Sequence, residues 1–269
     1  MYGTRIGAGR TAEIYEYGEQ RVLKLYVPGL PEAQVEAEFR ISGAAGRAGI
    51  RTPMALARVR YDDRHGIVFE KIAGGTMLAA LARRDGSVAG ESERMARLHS
   101  QIHRIAVPGL PDQKSSLHDR IAHAPLLSDE VKDRLALMLQ ALPDGDRLCH
   151  GDFHPDNIMI DNQEWIIDWM TGMSGHPAGD AARTALLLRF GSLPDDAPDE
   201  VAVWLTDMRA ELLDGYLLSY AKQTGTTREQ IERWMPPVAA ARLCDGIPEA
   251  EKEALAAFVR QSLEGRDSG

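Results

Sequence analysis

Cysteine is nearly absent from these 269 residues: Cys149 and Cys244 are the two, and they stand far apart. That pattern excludes a disulfide framework, and the start of the chain shows no cationic stretch followed by an apolar run that would suggest export. The expected location is cytoplasmic, with both thiols reduced. No apolar run approaches the roughly eighteen residues of a membrane span. Positive charge is also short. Lys plus Arg is 31 against 40 for Asp plus Glu, a net charge of −9, which gives a nucleic-acid partner no support and is compatible with a cationic one. Internal repeats and low-complexity segments are missing. A chain of this length can bury a sizeable core, either as one large domain or as two lobes.

What the chain does have is a dense polar stretch from 149 to 169, in which His150, Asp152, Asn157 and Asp168 alternate with apolar residues. Ile158, Met159 and Ile160 read as a short buried strand, Asp161-Asn162 as a turn, and Trp165 to Ile167 as a returning strand. Such a hairpin brings Asp168 back beside the loop holding Asp152 and Asn157. Two carboxylates and a carboxamide at its mouth suit a hard cation, because magnesium prefers oxygen ligands and keeps some of its waters for phosphate oxygens. Phosphoryl transfer needs charge neutralisation and one residue to orient the attacking oxygen, and in kinases an Asp five residues before an Asn does that. Asp152 and Asn157 have this spacing.

His150-Gly151-Asp152, then Asn157, then Ile167-Asp168-Trp169 resembles the catalytic loop and metal-binding strand of the aminoglycoside phosphotransferase and choline kinase family. The resemblance is specific over 149 to 169 and extends more loosely over nearly the whole chain. It implies an α+β, two-lobed, protein-kinase-like fold, with a small N-terminal sheet lobe carrying one helix and a larger, mainly helical C-terminal lobe. Residues 1–75 would bind nucleotide and form the hinge; residues 76–269 would hold the catalytic and substrate-binding groups. The implied cofactors are ATP or GTP and Mg2+, with Asp152 as the base and Asn157 and Asp168 as metal ligands. Family members phosphorylate aminoglycosides, choline, homoserine, methylthioribose and other alcohols, so the acceptor is a small molecule with a hydroxyl whose identity stays open. Gly151 stands where a protein kinase has the arginine of its His-Arg-Asp, Trp169-Met170 replaces Phe-Gly, and His154 takes the place of the catalytic-loop lysine, which makes it a candidate acceptor contact. The connection from 169 to 180 is too short for a regulated activation segment. These departures favour a small-molecule kinase over a protein kinase.

Upstream, Thr4 to Ile6, Ala12 to Tyr17 and Arg21 to Tyr26 read as strands, with Gly7 and Gly9 between the first two. Glycines there permit close backbone approach to a phosphate chain, although Ala12 stands where a third glycine would complete the protein-kinase pattern. Lys24 follows where a nucleotide kinase carries its phosphate-binding lysine. A helix from Glu32 to about Ala45 offers Glu36 or Glu38 as its partner, on different faces; the family resemblance selects Glu38. Strands over 55–60 and 67–72, joined by a loop over 62–66, lead to a glycine-rich exit. This resembles the kinase hinge, which assigns the backbone carbonyl of Glu70 and the backbone N–H of Ile72 to the adenine edge.

Beyond residue 76 the period becomes helical. Met95, Leu98, Ile102 and Ile105 form one stripe, and Val131, Leu135, Met138 and Leu142 another behind a Ser128 N-cap, with His99 and His103 as structural core residues and 108–116 as a loop. Asp180 is expected to cap an apolar, buried helix running through Leu188, a structural task. Helices follow over 199–220 and 228–263, with Pro236-Pro237 and Pro248 at helix starts and a frayed tail from Glu264. On the first of them Trp204, Asp207, Glu211 and Asp214 share one side. They form either a solvated face or a seat for a polycationic acceptor.

Overall fold

In the computed structural model, which describes residues 2–192 and 199–267, strands β1 (Arg5–Ala8), β2 (Ala12–Glu16) and β3 (Arg21–Tyr26) are followed by helix α1 (Glu32–Arg47). Strands β4 (Ala55–Tyr61) and β5 (Arg64–Glu70) come next, then the short β6 (Gly75–Thr76) and helix α2 (Met77–Ala82). Helices α3 (Val88–Ile102), α4 (Gln113–Ala122) and α5 (Asp129–Ala141) lead to β7 (Arg147–Cys149). A 3-10 turn at Pro155–Asn157 opens the hairpin β8 (Ile158–Ile160) and β9 (Glu164–Ile166), and β10 (Met173–Gly175) precedes helices α6 (Pro177–Phe190), α7 (Asp199–Thr224), α8 (Arg228–Arg242) and α9 (Glu249–Asp267). No described helix is long and apolar enough to cross a membrane.

Contacts divide the chain into two compact units, Met1–Arg83 with Pro155–Gly172, and Arg84–His154 with Met173–Gly269. This grouping is not the linear division near residue 75 that the sequence suggests. The hairpin β8–β9 joins the first unit because β8 pairs with β6, the Ile166 N–H donates to the Arg51 carbonyl at 2.9 Å, and the Trp169 indole N–H reaches Thr52 Oγ1 at 3.1 Å.

In the first unit the sheet runs β1-β2-β3-β5-β4, antiparallel throughout. As a central strand, β3 is covered on both faces. Leu23 and Leu25 pack with Val68 beneath Tyr15, Tyr17 and Tyr61, whereas Tyr26 packs with Ala12, Ile67 and Val35 of α1. Because side chains alternate across a strand, Lys24 shares the α1 side with Tyr26. On α1 the buried positions are Val35, Glu38, Ile41, Ser42 and Ala45, one helical face with a carboxylate in its middle. The loop expected over 62–66 is shorter than the sequence suggests: Tyr61 pairs with Arg64 and Arg60 with His65, so only Asp62 and Asp63 turn the chain. Gly66 belongs to β5. A Cβ there would sit 2.9 Å from the Leu23 side chain and 3.1 Å from the Lys24 carbonyl, so this glycine allows close approach between strands instead of marking a turn.

In the second unit side-chain caps set most helix starts: Ser87 accepts from the Gly90 N–H, Ser128 from Val131, and Thr227 forms a reciprocal capping box with Gln230. The stretch 108–116 is not all loop, because Asp112 accepts from the Ser115 N–H at 2.7 Å and starts α4 at Gln113. The N-cap of α6 is His176, whose Nδ1 accepts from the Ala178 N–H, with Pro177 in the first turn; Asp180 is therefore already inside the helix. Pro236 and Pro237 lie within α8, not at its start. Both rings are buried with Trp234, Met235 and Val238, and this packing outweighs the loss of their helical N–H groups. On α5 the buried residues are Leu135 and Leu139, so the stripe is rotated from the one expected. Helix α9 runs on to Asp267 past the expected fraying point at Glu264; Ser268 and Gly269 lie outside the described residues.

Candidate active site

In the first unit Lys24, Glu38 and Asp168 meet. The Lys24 ammonium lies 2.7 Å from Glu38 Oε1 and 2.9 Å from Asp168 Oδ1, and the Tyr26 hydroxyl donates to Glu38 Oε2 at 2.7 Å. Glu36, the alternative partner, is instead exposed and pairs with Arg58 at 3.5 Å. Burial works against the Lys24 charge, but the Asp168 and Glu38 carboxylates outweigh it and raise its pKa above the usual lysine range. Tyr26 was not singled out from sequence, although its position two residues after Lys24 puts it on the same face of β3.

Asn157 and Asp168 are placed by the hairpin register. Ile158 pairs with Ile166, and the Ile167 N–H donates to the Asn157 carbonyl at 3.0 Å, so Asp168 is the next residue beyond the ladder. Its φ of 64° is left-handed, which Asp tolerates better than most side chains but which still carries strain. Trp169 is fully buried behind it and Asn157 is nearly so. The hairpin also fixes the exit from the sheet: a Cβ on Gly74 would lie 1.9 Å from the Ile160 carbonyl, so only glycine passes there.

In the second unit Asp180 organises the His150-Gly151-Asp152 loop. Its two oxygens accept the backbone N–H groups of His150 at 2.6 Å and Gly151 at 2.8 Å, and Oδ2 also accepts from His99 Nε2 at 3.0 Å and His103 Nε2 at 3.1 Å. Burial alone would raise the Asp180 carboxyl, yet the two imidazoles hold it well below the usual range. Burial pushes His99 down to about 3, so it is neutral, and its Nδ1 accepts from the Tyr216 hydroxyl at 2.8 Å. His103 Nδ1 meets the Tyr220 hydroxyl at 2.5 Å. Two pairs spaced by one helical turn, His99 and His103 on α3 and Tyr216 and Tyr220 on α7, thus support one carboxylate. His99, His103 and Asp180 could also span a metal ion, but the four N–H donors already satisfy Asp180.

Asp152 projects from the anchored loop. His154 Nε2 lies 3.5 Å from its Oδ2 and Arg183 Nη2 lies 3.6 Å from its Oδ1. Despite burial, which raises it, the His154 and Arg183 contacts hold the Asp152 carboxyl far below the usual range. Arg183 went unnoticed in the sequence. The available signal was a charged residue one turn after Asp180 within an otherwise apolar helix.

The remaining candidates are placed as follows. Gly7 is opposite Ile14 in the β1–β2 ladder and the Gly9 N–H donates to the Ala12 carbonyl at 2.8 Å; neither has positive φ, so what each contributes is a missing side chain. Glu70 ends β5, with its N–H donating to the Met54 carbonyl at 3.0 Å, and Ile72 follows in the connection to β6. On α7, Asp207, Glu211 and Asp214 are exposed, on the side away from Met208, Leu212 and Tyr216. Asp214 pairs with Arg228 at 3.3 Å, and the Arg84 guanidinium sits 5.9 Å from the Trp204 ring centre, so half of the expected cation seat already holds arginines of this chain.

A comparison with curated proteins gives no match. Among solved structures, a thermostable mutant of aminoglycoside phosphotransferase APH(4)-Ia, in ternary complex with AMP-PNP and hygromycin B, superposes with a TM-score of 0.65 at 12% identity, over 96% of this chain and 91% of that one. Aminoglycoside-3'-phosphotransferase of type VIII gives 0.61 at 16% identity, over 90% and 93%. Aminoglycoside phosphotransferase APH(3'')-Id from Streptomyces rimosus, in complex with ADP and streptomycin, gives 0.54 at 18%, over 84% and 90%. At such identities these structures establish the two-lobed kinase-like fold. The model of the phosphotransferase enzyme family matches residues 3–220, most of the sequence, and the chain belongs to that family.

Proposed function

We propose that the chain transfers the γ-phosphoryl group of a nucleoside triphosphate, ATP or GTP, to a hydroxyl of a small cationic molecule in the cytoplasm. The reading is carried by Lys24, whose ammonium is fixed by Glu38 and lies 2.9 Å from the Asp168 carboxylate. Asp168 thus already accepts a cation, and with the Asn157 carboxamide it offers the oxygen donors that Mg2+ prefers. When bound there, Mg2+ neutralises charge on the phosphates. Lys24 steadies the α- and β-phosphates, the loop at Gly7 and Gly9 approaches them, and the Glu70 carbonyl and Ile72 N–H meet the adenine edge. Asp152 orients the acceptor hydroxyl and takes its proton. The acceptor oxygen bonds to Pγ while the bond from Pγ to the bridging oxygen breaks, releasing the nucleoside diphosphate.

For the acceptor, three features support an amino sugar: the net charge of −9, the exposed carboxylates Asp207, Glu211 and Asp214 beside Trp204, and solved relatives bound to hygromycin B and streptomycin. His154 lies beside Asp152 and would touch the acceptor next to its reacting hydroxyl. The test is a nucleotide-consumption screen over aminoglycosides, amino alcohols and neutral sugars, followed by acceptor KM at two salt concentrations for Asp207→Asn/Glu211→Gln. A cationic acceptor held on α7 binds more weakly to that variant and loses most of its salt dependence. Turnover with neutral sugars alone overturns the cationic assignment.

A further inference from the structure

Asp152 is the proposed base, and the arginine beside it contacts a carboxylate that lies beyond the family match. The guanidinium of Arg183, on α6, has Nη2 3.6 Å from Asp152 Oδ1 and 2.7 Å from Asp245 Oδ2. Asp245 stands in the turn between α8 and α9, beyond residue 220 where the family model ends. It is held in turn by Arg120 of α4 and by Arg242 of α8 at 3.3 Å, and Arg242 binds Glu251 of α9. Glu251 also accepts the Ser192 N–H at 2.9 Å and hydroxyl at 2.6 Å. A row of alternating charges therefore runs from the C-terminal helices to the base. Every one of these residues belongs to the second unit.

From this geometry we infer that Arg183 is a positioning residue for Asp152, and that Asp245 sets the position of Arg183. The inference rests on the base assignment made above. Arg183 is mostly buried and its Nε meets no acceptor among the described residues. Its Nη2 sits between the two carboxylates, so the charge of the guanidinium is directed at Asp152 and Asp245. Titratable and charged groups facing Asp152 include Arg183 from α6 and His154 and His150 from its own loop, and the His150 Nδ1 accepts the Asp152 N–H at 3.3 Å. Those facing Arg183 are Asp152, Asp245 and, through Asp245, Arg120 and Arg242. His154 belongs to the same loop as Asp152, whereas Arg183 reaches it from α6 with the same Nη2 that Asp245 holds at 2.7 Å. Its task is to keep the Asp152 carboxylate ionised, with one oxygen held and the other turned to the acceptor hydroxyl.

Burial favours the protonated acid, and the adjacent cation opposes it, so removing the cation moves Asp152 upward. The experiment measures kcat and nucleotide KM between pH 4.5 and 8.5 for the wild type, Arg183→Met, Arg183→Lys, Asp245→Asn and Asp152→Asn, with thermal unfolding of each. We expect Arg183→Met to lower kcat by about tenfold or more across this range while leaving nucleotide KM within about twofold. Arg183→Lys restores kcat in part. Asp245→Asn, which keeps the arginine and loosens it, gives a smaller loss of kcat and serves if Arg183→Met does not fold. A purely structural role for Arg183 lowers the unfolding temperature and leaves kcat, measured well below that temperature, unmoved in every variant, and that result overturns the inference. If Asp152→Asn itself turns over at the wild-type rate, the base assignment fails and the inference falls with it; loss of turnover in Asp152→Asn beside an unaltered Arg183→Met sinks the inference alone.

Discussion

Glu38 holds Lys24 through one carboxylate oxygen at 2.7 Å, while its other oxygen accepts the Tyr26 hydroxyl at the same distance. Glu38 is almost wholly buried, so it is an expensive anchor. Glu38→Ala leaves a buried ammonium with one partner fewer and is expected to destabilise the protein by about 3–5 kcal/mol. Tyr26→Phe removes only a hydrogen bond to a charged group and costs about 1–3 kcal/mol. Urea unfolding of the two variants checks the order. For kcat/KM, Lys24→Ala/Glu38→Ala should lose little more than Lys24→Ala alone, because each side chain acts through the other; additive losses contradict the pairing.

Asp168 combines a left-handed backbone with a carboxylate already in contact with a cation. Asp168→Asn keeps the size and the tolerance of positive φ, so the fold is expected to stay intact by circular dichroism. Turnover should fall by about a hundredfold or more, because the variant lacks the anionic ligand for magnesium. Near-normal turnover at limiting magnesium would remove Asp168 from the site.

The Asp180 hub makes stability depend on pH. His99 titrates near 6.5 when unfolded and at about 3 when folded, because burial disfavours its charged form. The unfolded chain therefore binds more protons between those values. The corresponding stability is fully present above pH 6.5 and is lost as pH falls toward 3, at up to about 1.4 kcal/mol per pH unit. Denaturant midpoints at pH 7.5 and 5.0 measure it. His99→Gln, which retains an N–H for Asp180, should flatten the difference; an equal drop in that variant would assign it to other groups.

Much of this site was legible because its residues sit at fixed sequence spacings. Asn157 and Asp168 are brought side by side by the β8–β9 register, and Lys24 by the order of strands after Gly7 and Gly9; the residues alone left Glu36 and Glu38 open, and the family resemblance chose Glu38, which the buried face of α1 carries. Asp180 was read correctly as structural but for the wrong reason. A cap is a local feature, whereas the groups it really serves, His99, His103, His150 and Gly151, come from α3 and from the 150–151 loop. Arg183 and Asp245 were out of reach for the same reason, since no period relates α6 to the α8–α9 turn. The prolines of α8 misled because their cost is local and their compensation is tertiary.

The central claim is that Asp152 takes the proton of an acceptor hydroxyl as the phosphoryl group arrives. Phosphorus NMR of the protein with ATP, magnesium and its best small-molecule acceptor reads this directly, since a phosphate monoester, inorganic phosphate and ADP have separate resonances. The wild type should build up the monoester. Asp152→Asn, with nucleotide affinity within a few-fold, should build it up about a hundredfold more slowly or worse. Monoester formation by Asp152→Asn at the wild-type rate, or phosphate appearing on added protein instead of the small acceptor, would contradict the account.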